Sequence, residues 1–462
     1  MTIYTANKSQ TQGRKGWTIV YRHPARKDSK GIGLRVRKGL STSDPNEADK
    51  LVAQMNELLA NESFWSLDAK PVAEKIYDNR VVSAFYSSLE VQPQNYLGIR
   101  ESFLSLPTLS DGYKTILLIG TIGAGKTTLL RQLIGSDPER DRFPSTAPGR
   151  TTVSDIEVIM ADGTYKTIVT FISEVETRFF VEECVEQAIY LADKGAKDSD
   201  IGRILLTDPE SRFKLNQILG DVEFENEEIH TSEADPDESN KFIKNCIQRI
   251  QKIASLIRKR LNDPAYPEHF NLKEKDQQIT EELFDKILYE QDEFSLLVDD
   301  LMDEIKKRFE FVKEGSFEVV GGDWSQSWKF ETSDRDKFIK TIRIFSSNYA
   351  PLRGRLLTPL VQGIRIQGPL YPNWMKEHPK LVLIDGEGLG GTPDSSDSIP
   401  TNISRRFDSV DAILLVDNAT ASMLRSPTTV LKTLWGSGHL SKLSIAFTHF
   451  DHVGEMNSRQ MI

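Results

Sequence analysis

Thr115-Ile116-Leu117-Leu118-Ile119-Gly120-Thr121-Ile122-Gly123-Ala124-Gly125-Lys126-Thr127-Thr128 is the stretch on which the fold of this chain turns. The apolar run Thr115–Ile119 predicts a buried strand, and the residues from Thr128 to Leu133 predict a helix. The turn between them matches the spacing G-x-x-x-x-G-K-[ST] in full. Glycine lets the backbone wrap closely around an anion, and the N–H groups of the turn and of the helix start then face it. Gly120, Gly123, Ala124, Gly125, Lys126, Thr127 and Thr128 are therefore expected to line a phosphate site. Lys126 would reach the terminal phosphates, and the Thr127 hydroxyl would ligate Mg²⁺.

Two later strand-like runs end in chemistry of the same kind. Leu381-Val382-Leu383-Ile384-Asp385 is an apolar strand closed by a carboxylate, followed by Gly386-Glu387-Gly388. Asp385 is expected to hold Mg²⁺ through water, and the Gly388 N–H to sense a γ-phosphate. A second run, Leu443–Phe447, leads into Thr448-His449-Phe450-Asp451. Between the turn and these runs lies Gly149-Arg150-Thr151-Thr152. Thr152 is expected to complete the Mg²⁺ shell, and Arg150 to neutralise developing phosphate charge in cis.

The order of these motifs resembles the translation-factor-like superclass of P-loop GTPases, which includes Ras-, septin- and dynamin-like proteins. The resemblance spans residues 113–172 and 363–455. It implies a parallel sheet with helices on both faces, GTP with Mg²⁺ as ligand, and nucleotide hydrolysis. In that family the residues matching Thr448 and Asp451 face the base, and the Asp carboxylate accepts from the guanine N1 and N2 groups. Four departures stand out. His449 replaces the usual Lys of [NT]-K-x-D, which keeps ATP open as the ligand. Leu389 follows Gly388 where Ras-like proteins place the water-orienting Gln, which implies slow intrinsic hydrolysis or a water placed by a partner, for example across a nucleotide-dependent homodimer. The segment 173–362 is foreign to a minimal GTPase, and the chain as given stops soon after Asp451, so a fragment is one reading.

Outward from this centre the composition shifts. Residues 1–40 hold ten Lys or Arg against Asp28 alone, a net +9, so the rest must carry -19 of the total of -10. A basic head on an acidic body implies a separate polyanionic partner for the head. Trp17–Arg22 and Ile32–Lys38 read as strands around a turn-rich stretch 23–31, and Asp44-Pro45 starts a helix with the stripe Leu51, Val52, Met55, Leu58, Leu59. Gly16–Arg22, Arg35–Leu40 and Ser43–Ala48 together resemble the arm-type DNA-binding module of phage-integrase recombinases. That resemblance implies duplex DNA as partner, through the face carrying Arg35 and Arg37.

The expected organisation is a small sheet-plus-helix module over 1–66, a helical linker over 67–110 with residues 91–110 irregular, and a first nucleotide-binding part over 111–172. A mainly helical insertion follows over 173–362, then a second nucleotide-binding part over 363–462. Ala161-Asp162-Gly163 reads as a hairpin turn. Residues 221–240 hold nine acids and no Lys or Arg, which reads as a linker. The stripes of residues 243–257 and 294–309 allow either an antiparallel stalk or an ordinary bundle. The insertion would offer a surface to a protein partner. Cys184 and Cys246 alone make neither a disulfide framework nor a zinc site, and no run of roughly 18 apolar residues appears. A cytoplasmic protein is expected. The leading expectation is a GTP-driven switch or assembly enzyme with a nucleic-acid-binding head, and the integrase-like head fits a bacterial or phage-related origin. A DNA-associated ATPase, a dynamin-like membrane-associated GTPase and a non-hydrolysing module are the alternatives.

Overall fold

The computed structural model describes residues 4–9, 17–27, 33–40, 42–86, 89, 95–137, 140–141, 143–144, 155–208, 213–222, 236–262, 284, 287–289, 291–319, 324–386 and 406–452. The chain forms two compact units, residues 1–95 and 96–462.

The first unit joins an antiparallel sheet, β1 (Ala6–Ser9), β2 (Thr18–Lys27) and β3 (Gly33–Gly39), to α1 (Pro45–Ala60). Asp44 caps α1 as its sequence predicts: its Oδ1 accepts from the Asn46 N–H at 3.0 Å, and Pro45 fills the first turn. Ile19, Tyr21 and Val36 from the sheet meet Leu51, Met55, Leu58 and Leu59 from α1. The strand β2 continues to Lys27, past the expected turn at residue 23, because His23 is buried among aromatic rings rather than exposed in a loop. Its burial pushes the imidazole down to about 4, which keeps it neutral at pH 7.

The expected boundary at residue 66 lies inside this unit. α2 (Lys70–Ala73) and α3 (Asn79–Tyr86) add Ala73, Val81, Phe85 and Tyr86 to the same core, and the Tyr21 hydroxyl donates to the Ala84 carbonyl at 2.9 Å. The residues expected to be an irregular linker also contain α4 (Tyr96–Phe103), which opens the second unit.

The second unit is a mixed α/β body around a nine-stranded sheet. In chain order its elements are β4 (Lys114–Ile119), α5 (Lys126–Leu133), β5 (Asp155–Met160), β6 (Tyr165–Phe171) and α6 (Glu174–Asp193). Next come α7 (Asp198–Thr207), α8 (Leu215–Leu219), α9 (Pro236–Leu261), α10 (Asp292–Phe309), β7 (Ser316–Val319), β8 (Ser325–Thr332) and α11 (Arg335–Ser346). The unit closes with β9 (Val361–Gly368), β10 (Leu381–Asp385), β11 (Ala412–Asn418), α12 (Arg425–Gly436) and β12 (Leu443–Thr448).

The strand order is β12-β11-β4-β10-β5-β9-β6-β8-β7. Only the four strands from β12 to β10 are mutually parallel. β5 runs antiparallel to β10, and the wing beyond it alternates direction except for the parallel pair β5–β9. The expected parallel sheet is thus corrected to a mixed one. The expected β5–β6 hairpin is corrected too: β9 sits between them and pairs with both, so residues 161–163 turn the chain without closing a hairpin. A turn signal fixes a change of direction, while long-range pairing decides which strand lies alongside.

Side chains of the sheet alternate between two cores. Leu118, Ile156, Val158, Val169, Ile364, Ile366 and Leu383 face the larger core, which α5, α6, α7, α9, α10 and α11 complete. Leu117, Ile119, Ile159, Ile168, Val382 and Ile384 face the other, with Leu104, Phe407, Val430 and Leu434. Helices therefore lie on both faces. The stripes of α9 and α10 are buried in the larger core, with Ile243, Ile250 and Ile257 beside Phe294, Leu301 and Ile305. Arg249 of α9 also bonds Glu293 at 2.7 Å and Asp300 at 2.6 Å on α10. They form part of a bundle, and the stalk alternative falls. The region 173–362 is mainly helical but also contributes β7 and β8 to the sheet edge. Among the described residues no helix is long and apolar enough to cross a membrane.

Candidate functional site

At the carboxyl end of β4 the chain must pass close under β11. A Cβ on Gly120 would lie 2.2 Å from the Val416 carbonyl oxygen, so only glycine fits. Gly123 (φ +78) and Gly125 (φ +89) take left-handed conformations that side chains resist. This tight turn leads directly into α5, whose start has no side-chain cap. The first-turn N–H groups of a helix have no intrahelical acceptor, and such a terminus favours a negative charge.

Lys126 folds back over the turn, and its Nζ donates to the carbonyls of Gly120 at 3.0 Å and Thr121 at 3.1 Å. Burial pushes its ammonium down, and the Asp385 carboxylate partly offsets this. The Thr127 hydroxyl donates to Asp385 Oδ2 at 2.7 Å. Asp385 is fully buried, and its other oxygen, Oδ1, has no hydrogen-bond partner. Burial raises this carboxyl to about 6 against the opposing pull of Lys126 and Thr127. A buried carboxylate oxygen without a partner, beside a hydroxyl, is a donor set suited to a hard cation such as Mg²⁺. Among the described residues no group of three or more His, Cys, Asp or Glu could hold a metal, so such an ion would draw its remaining ligands from elsewhere.

Thr448 ends β12 beside the same turn. Its hydroxyl lies 2.6 Å from the Ala124 carbonyl, 3.1 Å from the Asp417 carbonyl and 3.0 Å from His449 Nδ1. Its side chain would also lie 3.2 Å from a Cβ on Gly125. Thr448 thus locks the end of β12 to the glycine turn. The two carbonyls can only accept, so the one hydroxyl proton goes to them, and the contact with His449 requires the proton on Nδ1. His449 itself takes φ +55. Asp451 lies exposed in the turn that follows, 3.6 Å from His452 Nε2.

The structure thus brings Gly120, Gly123, Ala124, Gly125, Lys126, Thr127, Asp385 and Thr448 together at the carboxyl ends of parallel strands. Thr128 is exposed on the first turn of α5, and Asp451 is exposed three residues beyond Thr448. Arg150, Thr152, Gly388 and Leu389 lie outside the described residues.

Sequence reasoning missed three further groups. Asp417, at the end of β11, is buried and accepts from the N–H groups of Asn418 at 3.0 Å and Met423 at 2.6 Å. Asp155, at the start of β5, pairs with Arg406 and lies 3.6 Å from where a Cβ on Gly386 would stand. Glu157 and Arg365 form a buried pair at 2.7 Å on the α4 face of the sheet. The usable signal was a lone charge inside an apolar strand: Ile156-Glu157-Val158 and Ile364-Arg365-Ile366.

No protein-family model matches the chain, and no curated protein matches it either.

Proposed function

We propose that the second unit binds a Mg²⁺-nucleoside triphosphate at residues 120–127 and hydrolyses it slowly as a GTPase of the P-loop kind, and that the basic first unit binds duplex DNA. One observation carries the nucleotide reading. A glycine turn with Lys126 folded into it sits directly over a buried carboxylate, Asp385, that already holds the Thr127 hydroxyl and keeps one oxygen unpartnered. Thr127 and Asp385 would hold Mg²⁺, which supplies positive charge against the phosphates. Lys126 supplies a second positive charge at the centre of the turn, and the start of α5 supplies oriented N–H groups. Thr448 ties the turn to the segment bearing Asp451, so phosphate and base recognition share one rigid frame.

Mg²⁺-dependent binding of fluorescent GTP and ATP analogues, in competition with unlabelled nucleotides, tests the reading. GTP should compete better, and Lys126→Ala should abolish binding; unchanged affinity in that variant overturns the assignment. Asp451→Asn should move preference from GTP towards xanthosine triphosphate. A second reading, an ATPase, is favoured by one feature: His449, in a left-handed conformation and bonded to Thr448, stands where GTPases carry Lys. Preference for ATP in the same competition would make it primary.

The DNA reading rests on the net +9 of residues 1–40 and on register: Arg22 pairs opposite Arg35, and Val20 opposite Arg37, on the strand positions that alternate with buried Tyr21 and Val36. Affinity for duplex DNA should fall steeply with salt as counterions are released. A flat response would remove DNA from the reading.

A further inference from the structure

On the α4 face of the sheet, six charged side chains form a continuous chain of ion pairs. Arg406 pairs with Asp155 through Nη2 and lies 4.0 Å from Glu157 Oε1. Glu157 Oε2 accepts from Arg365 Nε at 2.7 Å and lies 3.4 Å from Arg100 Nε. Arg365 Nη1 reaches Glu101 at 2.5 Å and the Leu104 carbonyl at 2.7 Å. Arg100 Nη1 donates to Thr170 Oγ1 at 3.2 Å and Gln362 Oε1 at 3.1 Å. Three guanidinium groups thus meet three carboxylates, with Arg100, Glu157 and Arg365 almost wholly buried.

The two ends of this chain lie at different places. One end, Asp155, abuts Gly386, and its charge acts on Asp385. The other end is helix α4, which supplies Arg100 and Glu101 and is where the backbone leaves the first unit for the second. The network is also not fully satisfied. Arg100 Nε and Nη2 and Arg406 Nη1 are buried without hydrogen-bond acceptors. At 3.4 Å the Arg100–Glu157 contact is an ion pair rather than a hydrogen bond. Glu157 is shared among three cations, so strengthening one contact weakens another. A second arrangement, with Arg100 taking Glu157 at hydrogen-bond distance, is therefore close at hand.

We propose that Arg406, Asp155, Glu157, Arg365 and Arg100 form a charge relay that reports occupancy of the Asp385 site to helix α4, the first helix of the second unit. This rests on the nucleotide reading above. With positive charge held at Asp385, the neighbouring Asp155 carboxylate would loosen its hold on Arg406. Arg406 then turns to Glu157, which redistributes between Arg365 and Arg100. Both of those arginines bond elements that fix α4, so its backbone stability changes. The coupling is between two distinct positions in one unit, as allostery requires.

Hydrogen exchange of residues 96–104 in the full chain, with and without Mg²⁺ and a non-hydrolysable GTP analogue, tests the relay, with analogue binding followed by fluorescence in the same samples. In the wild type, exchange in α4 should change about five-fold or more on binding. Arg406→Gln should still bind the analogue, with an affinity shifted by about five-fold because the coupling is reciprocal, yet lose the α4 response, and Arg406→Lys should restore part of it. A full α4 response in Arg406→Gln overturns the proposal, as does a wild type that binds analogue without any response in α4. Absence of analogue binding in the wild type overturns the nucleotide reading and this proposal with it, and the fluorescence separates that result from the other two.

Discussion

The two faces of strands β5, β9 and β6 carry opposite chemistry on the same backbone. Towards the helical bundle they present Ile156, Val158, Ile364, Ile366, Val169 and Phe171, all buried in one apolar core. Towards α4 they present Glu157, Arg365 and Thr170, equally buried but bound through ion pairs and hydrogen bonds. Apolar burial tolerates small changes because it is non-directional and roughly proportional to area. A buried ion pair adds little net stability, yet losing one partner leaves an uncompensated charge. The apolar face should therefore fail gradually and the charged face abruptly.

The largest expected effect is on the charged face. Glu157→Ala should destabilise the second unit by about 3–5 kcal/mol in urea unfolding, because Arg365 and Arg100 lose their shared anion. A loss below about 1 kcal/mol would break the contrast between the faces.

A smaller effect separates two buried carboxylates by the sign of their pH dependence. Burial raises Asp385 from an ordinary 3.8 to about 6. Its contribution to the stability of the ligand-free protein is thus present below about pH 4 and lost as pH rises through about 6, on the order of 2–3 kcal/mol. Burial also pushes Glu157 up, but Arg100 and Arg365 outweigh it and hold the group below its usual value. Its contribution is present above about 4.5 and lost as pH falls further. Asp385→Asn should remove the decline between pH 4 and 6, and a decline that persists unchanged assigns it to other groups. Binding of Mg²⁺-nucleotide should strengthen through the same window, since the cation needs the ionised carboxylate.

The smallest effect belongs to the apolar face: Ile364→Val should cost about 1 kcal/mol, with no change in the pH profile. A cost comparable to that of Glu157→Ala would show that the two faces do not differ in kind.

What was legible in the sequence follows the range of the interactions involved. The cap at Asp44, the turn 120–127 and the strands ending at Asp385 and Thr448 are written in contiguous residues, and each lies where its local pattern predicts. The coarse fold, mixed α/β with a helical segment between two sheet-forming parts, was legible from the alternation of strand and helix patterns. The insertion of β9 between β5 and β6 was not, because residues 361–368 carry no mark of which strands they will join. The boundary of the first unit was missed for the same reason: Ala73, Val81 and Phe85 read as a linker helix until their partners Tyr21 and Leu58 are known. The ion-pair chain left a trace as single charges within apolar strands, but their partners lie on other elements. Asp385, Lys126 and Thr127 were recognisable because one short motif carries two of them and a strand end carries the third.

Gly363 packs directly against Arg100 of the ion-pair network. A Cβ there would stand 1.5 Å from Arg100 Nη1, so the guanidinium occupies the space that any side chain at 363 would need. The two positions, though far apart along the chain, therefore share one space. Across related sequences a side chain at 363 should accompany either the loss of arginine at 100 or an Arg100 that has left Thr170 and Gln362.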